Sequence, residues 1–207
     1  MPPTALTPGS RFPLLHYSGL LLEEGTCAAA HVYELFKSNG WDTQWIFRYG
    51  STQVSHYHSA SHECMAVLSG SATIRFGVAD TNDDLLENTH GSAFEAGGIE
   101  IRANMGDVFV IPAGVSHKTF DPTPADSSFK LLTPGDGHAV SADDVHAALS
   151  RIELSGFTMI GAYPNGGVWD FRASCEDESD RERAWAVPRP SRDPVFGDAR
   201  EGLCGIW

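Results

Sequence analysis

Gly50-Ser51-Thr52-Gln53-Val54-Ser55-His56-Tyr57-His58-Ser59-Ala60-Ser61-His62-Glu63-Cys64-Met65-Ala66-Val67-Leu68-Ser69-Gly70 is the stretch on which the fold turns. Its frame is Gly, five residues, His-x-His, four residues, Glu, six residues, Gly. A second frame follows: Gly106, five residues, Pro112-x-Gly114, two residues, His117. Alternate side chains of a strand share a face, so His56 and His58 project together. Glu63 stands at an odd offset and needs a turn over residues 58–62 to bring the next strand alongside. Gly50 and Gly70 permit the bends at either end. His117 arrives from a distant strand, aimed inward by the stiff turn at Pro112-Ala113-Gly114.

Three neutral imidazole nitrogens and one carboxylate suit Fe(II), Mn(II), Ni(II), Co(II) or Zn(II), and disfavour calcium and magnesium. His56, His58, Glu63 and His117 are therefore expected to hold a divalent transition metal. Four protein ligands around an octahedral ion leave two positions open, the arrangement of a catalytic site. An isolated histidine is more often structural than a ligand. Here nine fixed positions agree, four of them Gly and three of them His.

Outward from this core the chain reads as strands. Residues 44–49, 62–68, 72–76, 99–101, 108–111, 129–132 and 157–162 are short, β-branched or aromatic, and mostly bounded by Gly, Pro, Ser or Asp. Residues 12–22 hold one more short strand. Many short strands with frequent turns predict a sandwich or barrel. Residues 68–72 read as a hairpin turn, and residues 79–98 as a long loop, acidic at Asp83, Asp84 and Glu87. Residues 26–39 predict a helix capped by Thr26 and ended by Gly40, with Ala29, Val32, Tyr33 and Phe36 as its apolar stripe. Residues 141–151 predict another, capped by Ser141, with Asp143 and Asp144 in its first turn. The charge run at 176–182 reads as a solvated segment, and Trp207 as packing back onto the body.

The chain has 207 residues, enough for a sizeable core without disulfides. No apolar run approaches a membrane span, and residues 1–9 lack the basic start and apolar stretch of a signal peptide. A cytoplasmic location is expected. Net charge is −13, with 27 acidic against 14 basic residues, which repels phosphate backbones and anionic lipids. The expected partner is a small-molecule substrate, with no nucleic acid and no membrane. Cys27, Cys64, Cys175 and Cys204 form no C-x-x-C pair and read as free thiols; only Cys64 is expected near the site.

On residues 50–121 the two frames resemble the paired motifs of the cupin superfamily. The resemblance implies an all-β fold: a cupin-type, RmlC-like jelly-roll β-barrel with short peripheral helices and the metal in its mouth. It also implies a homodimer through edge strands. Asp121 stands where the family's second motif closes with Asn, a position that is not a ligand. Phe36-Lys37-Ser38-Asn39-Gly40-Trp41, Gly161-Ala162-Tyr163-Pro164 and Asp193-Pro194-Val195-Phe196-Gly197 extend the resemblance to the YjlB-like branch of cupins. Three regions follow: an N-terminal arm and helix at 1–43, the barrel at 44–172 with an insertion near 134–156, and a C-terminal extension at 173–207 packing on the barrel.

The leading expectation is a metal-dependent enzyme acting on a small organic substrate. An oxidoreductase, specifically an Fe(II) dioxygenase, is favoured over an isomerase or lyase working by Lewis-acid polarisation. A non-catalytic ligand-binding cupin is the competing class. Glu63 could also serve as a catalytic base, and His62 as an acid/base or supporting group instead of a surface histidine. Trp45, Phe47 and Tyr49 share a face, either as core or as pocket wall; Tyr163, Trp169 and Asp170 form either a lid or packing. His16, His31, His90, His138 and His146 read as structural or exposed. No phosphate loop, dinucleotide fingerprint, Gly-x-Ser-x-Gly elbow or helix-turn-helix is present.

Overall fold

The short apolar runs pair into two antiparallel sheets in the computed structural model, which describes residues 1–125, 128–164 and 166–207. The elements are β1 (Leu15–Tyr17), α1 (Ala29–Ser38), β2 (Trp41–Arg48), β3 (Glu63–Ser69), β4 (Ser71–Phe76), α2 (Leu85–His90), β5 (Ile99–Asn104), β6 (Val108–Ile111), β7 (His117–Thr123), β8 (Lys130–Leu131), α3 (Val145–Ser150), β9 (Thr158–Pro164), α4 (Glu178–Trp185) and α5 (Leu203–Ile206). One sheet runs β1-β6-β3-β9-β2-β8 and the other β5-β4-β7. This is the jelly-roll arrangement, with helices only at the periphery.

Cys64-Met65-Ala66-Val67-Leu68 is apolar without a break because β3 is covered on both faces. Met65 and Val67 point between the sheets, where they meet Ile74 and Phe76 of β4 and Phe109 of β6. Cys64, Ala66 and Leu68 point the other way, into a second core with Val32 and Phe36 of α1. Cys64 is therefore turned away from the site, contrary to its expected place, and burial pushes its thiol well up.

Several local expectations change. Residues 68–72 form no hairpin: β3 and β4 lie in different sheets, and Gly70 is the corner between them. Its φ is +69°, and a Cβ there would sit 2.6 Å from the Gly156 carbonyl oxygen and 2.7 Å from that of Thr123. Thr26 does not cap α1; it pairs back with Glu23, and the cap position falls to Ala28 with no side-chain bond. Gly40 does follow the helix, its N–H donating to the Lys37 carbonyl at 3.0 Å. The loop at 79–98 contains α2, capped by Asp84. Asp144, not Ser141, caps α3. The charge run at 176–182 enters α4, capped by Asp177. In each case an Asp with extended backbone accepts helix N–H groups, as a cap does.

β7 escaped the sequence reading because Lys118, Asp121 and Pro122 break its apolar character. Lys118 is fully buried but paired with Asp80 at 3.1 Å. Pro122 is tolerated because β7 is an edge of its sheet. Asp193 gathers the C-terminal segment, accepting from the Tyr17 hydroxyl at 2.6 Å and from the Val195, Phe196 and Leu203 backbones. Trp207 stacks on Phe12 at 4.9 Å and donates to the Pro13 carbonyl at 2.9 Å. Among the described residues no helix is long and apolar enough to cross a membrane.

Candidate metal centre

Glu63 opens β3 opposite Ile111, on the inward face it shares with Met65. His117 opens β7 opposite Phe76. His56 reaches the same place without a regular strand. It exchanges backbone bonds with His117, N–H to carbonyl at 3.1 and 2.8 Å. Tyr57 pairs likewise with Arg172. The segment is thus threaded between β7 and the chain after β9, and the strand-like alternation survives. Tyr57 turns away and is fully buried, while His56 and His58 face the centre.

The three imidazoles converge, with one nitrogen of each lying within 4.8 Å of the others. Glu63 joins them: Oε1 is 3.2 Å from His58 Nε2 and Oε2 is 3.3 Å from His117 Nε2. His58, Glu63 and His117 are buried and His56 is half-buried.

All three rings are held in one tautomer. Nδ1 of His56 donates to the Val54 carbonyl at 3.2 Å, that of His58 to Asp170 at 2.5 Å, and that of His117 to Val115 at 3.3 Å. With Nδ1 protonated, a neutral ring presents its Nε2 lone pair inward, the form that ligates a metal. His58 Nε2 and Glu63 Oε2 are buried with no hydrogen-bond partner. Lone pairs of a neutral imidazole and a carboxylate facing each other repel, and a buried orphan costs about 1–3 kcal/mol. A cation bound between them removes both costs, so the donor set fits a divalent metal.

The charges follow from the same contacts. Burial works to raise the Glu63 carboxyl, but His58 and His117 and a hydrogen bond from Tyr163 outweigh it and bring the pKa to about 2. Burial pushes His117 down to about 4, and holds His56 well below the usual histidine range with help from its two neighbours. Burial opposes protonation of His58 too, but Glu63 and the Asp170 carbonyl prevail and raise it. Of the three rings, His58 is thus the one whose protonated form the Glu63 carboxylate favours.

Supporting residues come from β9 and the segment after it. Tyr163 donates to Glu63 Oε1 at 2.5 Å and accepts from Trp45 Nε1 at 3.1 Å. Gly161 of β9 leaves room for that indole, since a Cβ there would overlap the Trp45 ring. Asp170 holds His58 through its backbone, while its carboxylate accepts from Ser59 N–H at 2.6 Å, Ser59 Oγ at 2.7 Å and Arg172 Nε at 3.1 Å. Tyr163 and Asp170 are therefore neither lid nor mere packing. Phe171, unnoticed in the sequence, stacks on His56 with centroids 4.2 Å apart. Substituting Tyr163 by Phe should lower metal affinity by about 10–100-fold, the usual cost of losing a bond to a ligand's outer oxygen. Competition titration with a chromophoric chelator would measure it.

His62 is not brought to the centre, which corrects its expected catalytic place. As the neighbour of Glu63 it faces the opposite side. Its Nδ1 accepts from Ala113 N–H at 2.9 Å and Nε2 donates to the Pro188 carbonyl at 3.1 Å. The ring lies 5.0 Å from Trp207. Both nitrogens are committed to backbone, and the ring does not border the cavity.

The His56, His58, Glu63 and His117 cluster lines a cavity of about 290 Å³. Trp45, Phe47 and Tyr49 form one wall, and Trp45 and Tyr49 belong at the same time to the core between the sheets, so both readings of the trio hold; Phe129, Trp169 and Phe171 form the rim. No Lys or Arg borders it among the described residues.

A two-sheet jelly roll with a histidine cluster at its mouth defines a class of small β-barrel proteins able to hold a metal. The family model described as Cupin matches residues 30–153, and the chain belongs to the cupin family. It is similar to the uncharacterized protein YjlB of Bacillus subtilis (strain 168), with 27% identity over 201 residues, 95% of this chain and 86% of that protein. Among solved structures it is similar to the oxalate decarboxylase formate complex of Lactobacillus farciminis, with 16% identity and a TM-score of 0.33 over 62% of this chain and 27% of that one. A vicilin from Corylus avellana gives 14% identity and a TM-score of 0.30 over 58% of this chain and 24% of that one. The chain spans only about a quarter of the length of these two solved proteins.

Proposed function

We propose that this cupin is a metal-dependent enzyme converting a small organic molecule in its barrel mouth, with a dioxygenase reaction on Fe(II) favoured. The observation that carries the reading is the set of three Nε2 lone pairs and one ionised carboxylate lining an apolar cavity. His56, His58, His117 and Glu63 would hold the metal. When bound, iron would supply dioxygen activation.

What the chain's own residues do supports an oxidative reaction over an isomerase or lyase. Isomerisation and elimination need an acid or base placed beside the substrate. Glu63, with a pKa of about 2, is a weak base and is pinned by Tyr163, so its role is that of a ligand. Burial pushes the Tyr49 and Tyr163 hydroxyls well above their ordinary range, so neither offers a phenolate base and both are poor proton donors. Gln53, the remaining polar lining residue, does not titrate. The aromatic walls bind by apolar contact and exclude water. A ligand-binding cupin without turnover is the competing outcome.

The test loads the protein with Fe(II) without oxygen, then follows oxygen consumption across a panel of small organic compounds. Oxygen uptake matched to product formation, and absent from the metal-free protein, supports the proposal. Tight binding of compounds that are always recovered unchanged, with every metal tried, overturns it.

A further inference from the structure

We infer that the cavity selects a flat aromatic or conjugated ring carrying a single metal-binding oxygen group, and rejects aliphatic polyacids and phosphorylated sugars. This rests on the metal-centre reading and specifies the substrate class of that site.

Three features of the cavity carry the inference. The first is the rim. Phe129 is 59% exposed and Phe171 is 53% exposed, yet both border the same opening. Large apolar side chains left in water at a cavity mouth mark a surface that a ligand covers. The second is ring orientation. Phe129 stacks on Phe47 with centroids 4.9 Å apart and planes 20° apart, and Phe171 lies within 12° of the His56 ring plane. Two such stacked pairs on one opening present ring faces, and ring faces bind flat ligands by stacking and apolar contact.

The third feature is charge. A divalent cation with three neutral imidazoles and the Glu63 carboxylate carries a net charge of about +1. One ligand anion neutralises that. A second ligand anion has no Lys or Arg partner among the described lining residues, and it meets Glu63 in a low-dielectric site. The volume of about 290 Å³ sits at the small end of ligand pockets and suits one or two rings.

The rim is also braced. Trp169 donates to the Gly137 carbonyl at 2.9 Å and is stacked with His138 at 4.4 Å. Gly137 and His138 belong to the 134–156 segment, so this segment fixes the wall that faces His58. A wall held in place before the ligand arrives favours rigid, flat ligands over flexible ones that must be ordered on binding.

The experiment uses hydroxamates, which share one monoanionic metal-binding head. Co(II)-loaded protein is titrated with acetohydroxamate, benzohydroxamate and succinic monohydroxamate, and binding is read from the Co(II) absorption bands and by calorimetry. Benzohydroxamate should bind at least about tenfold tighter than acetohydroxamate, and the carboxylate-bearing compound weaker than either. Phe129→Ala should erase most of the phenyl advantage and weaken acetohydroxamate far less than benzohydroxamate. Equal affinity for the phenyl and methyl heads overturns the substrate class while leaving the metal centre standing. A change in oligomeric state on sedimentation of Phe129→Ala, with the phenyl advantage intact, also overturns it, because the rim is then a contact between copies. Failure of Co(II) to load, or no spectral response to any hydroxamate, overturns the metal-centre reading itself.

Discussion

Replacing His58 by alanine is expected to strip the centre of its metal, cutting affinity by on the order of a hundredfold or more, beyond the usual cost of losing an outer-shell contact. His56→Ala should do the same, because each supplies one of three converging Nε2 lone pairs. The two variants should differ in the metal-free state. His58 has a raised pKa and faces Glu63, so in the metal-free chain the buried carboxylate favours its protonated form. A histidine whose folded pKa is raised contributes stability that is fully present below about 6.5 and is lost as pH rises through the folded value. His56 is held neutral by burial and its neighbours and offers no such compensation. Metal-free His58→Ala should therefore melt below the metal-free parent at mildly acidic pH, and the gap should narrow at alkaline pH. Metal-free His56→Ala should show no loss of that pH-dependent kind. Elemental analysis and thermal melts over a pH series check both. Full metal content in either variant would mean that these rings do not share an ion.

The part of this site legible in the sequence was the part written at short range. His56 and His58 stand two apart, and that spacing puts them on one side even where a single bridge replaces a regular strand. The same alternation places His62 opposite Glu63, which is why a catalytic role for it had no geometric support. The supporting residues are 100 and 112 positions from the groups they hold, Tyr163 from Glu63 and Asp170 from His58. Nothing local announces such contacts. Asp170 works on His58 through its backbone carbonyl, an atom that every residue carries, so no residue type could reveal it. Gly70 shows a related limit. Its positive φ was readable as a bend, but whether a bend closes a hairpin or turns a corner depends on which strands pair. That is decided by burial on both faces of β3. Helix starts were misplaced for a different reason, because Thr26, Ser141 and several aspartates all offer capping oxygens. At α3 the winner is Asp144, whose backbone is extended where the helix axis begins, while at α1 no capping oxygen wins and Ala28 takes the position.

Acid should destabilise the chain well above the range in which carboxylates titrate, with His62 responsible for a large share. The ring is 1% exposed, and burial pushes its pKa down from 6.5 to about 4. Between those values the unfolded chain takes up a proton that the folded chain refuses. The stability is therefore present above pH 6.5 and drains away as pH falls toward 4, amounting to roughly 3 kcal/mol for a shift of this size. The structural reason is specific. Nδ1 must stay unprotonated to accept from Ala113 N–H, the residue inside the turn that aims His117. A proton there sets two donors against each other and places a charge beside Phe12 and Trp207. His117 and His56 are also held low and act in the same direction, so the wild-type profile alone does not isolate His62. His62→Asn does, since its amide oxygen can still accept from Ala113 but takes up no proton. Denaturant unfolding of the metal-free proteins from pH 7 to pH 4.5 should show a shallower slope for His62→Asn. The difference should approach about 1.4 kcal/mol per pH unit, the value for one proton. Parallel profiles would show that the ring is already protonated or solvated in the fold. In that case the tail that ends in Trp207 does not seal it.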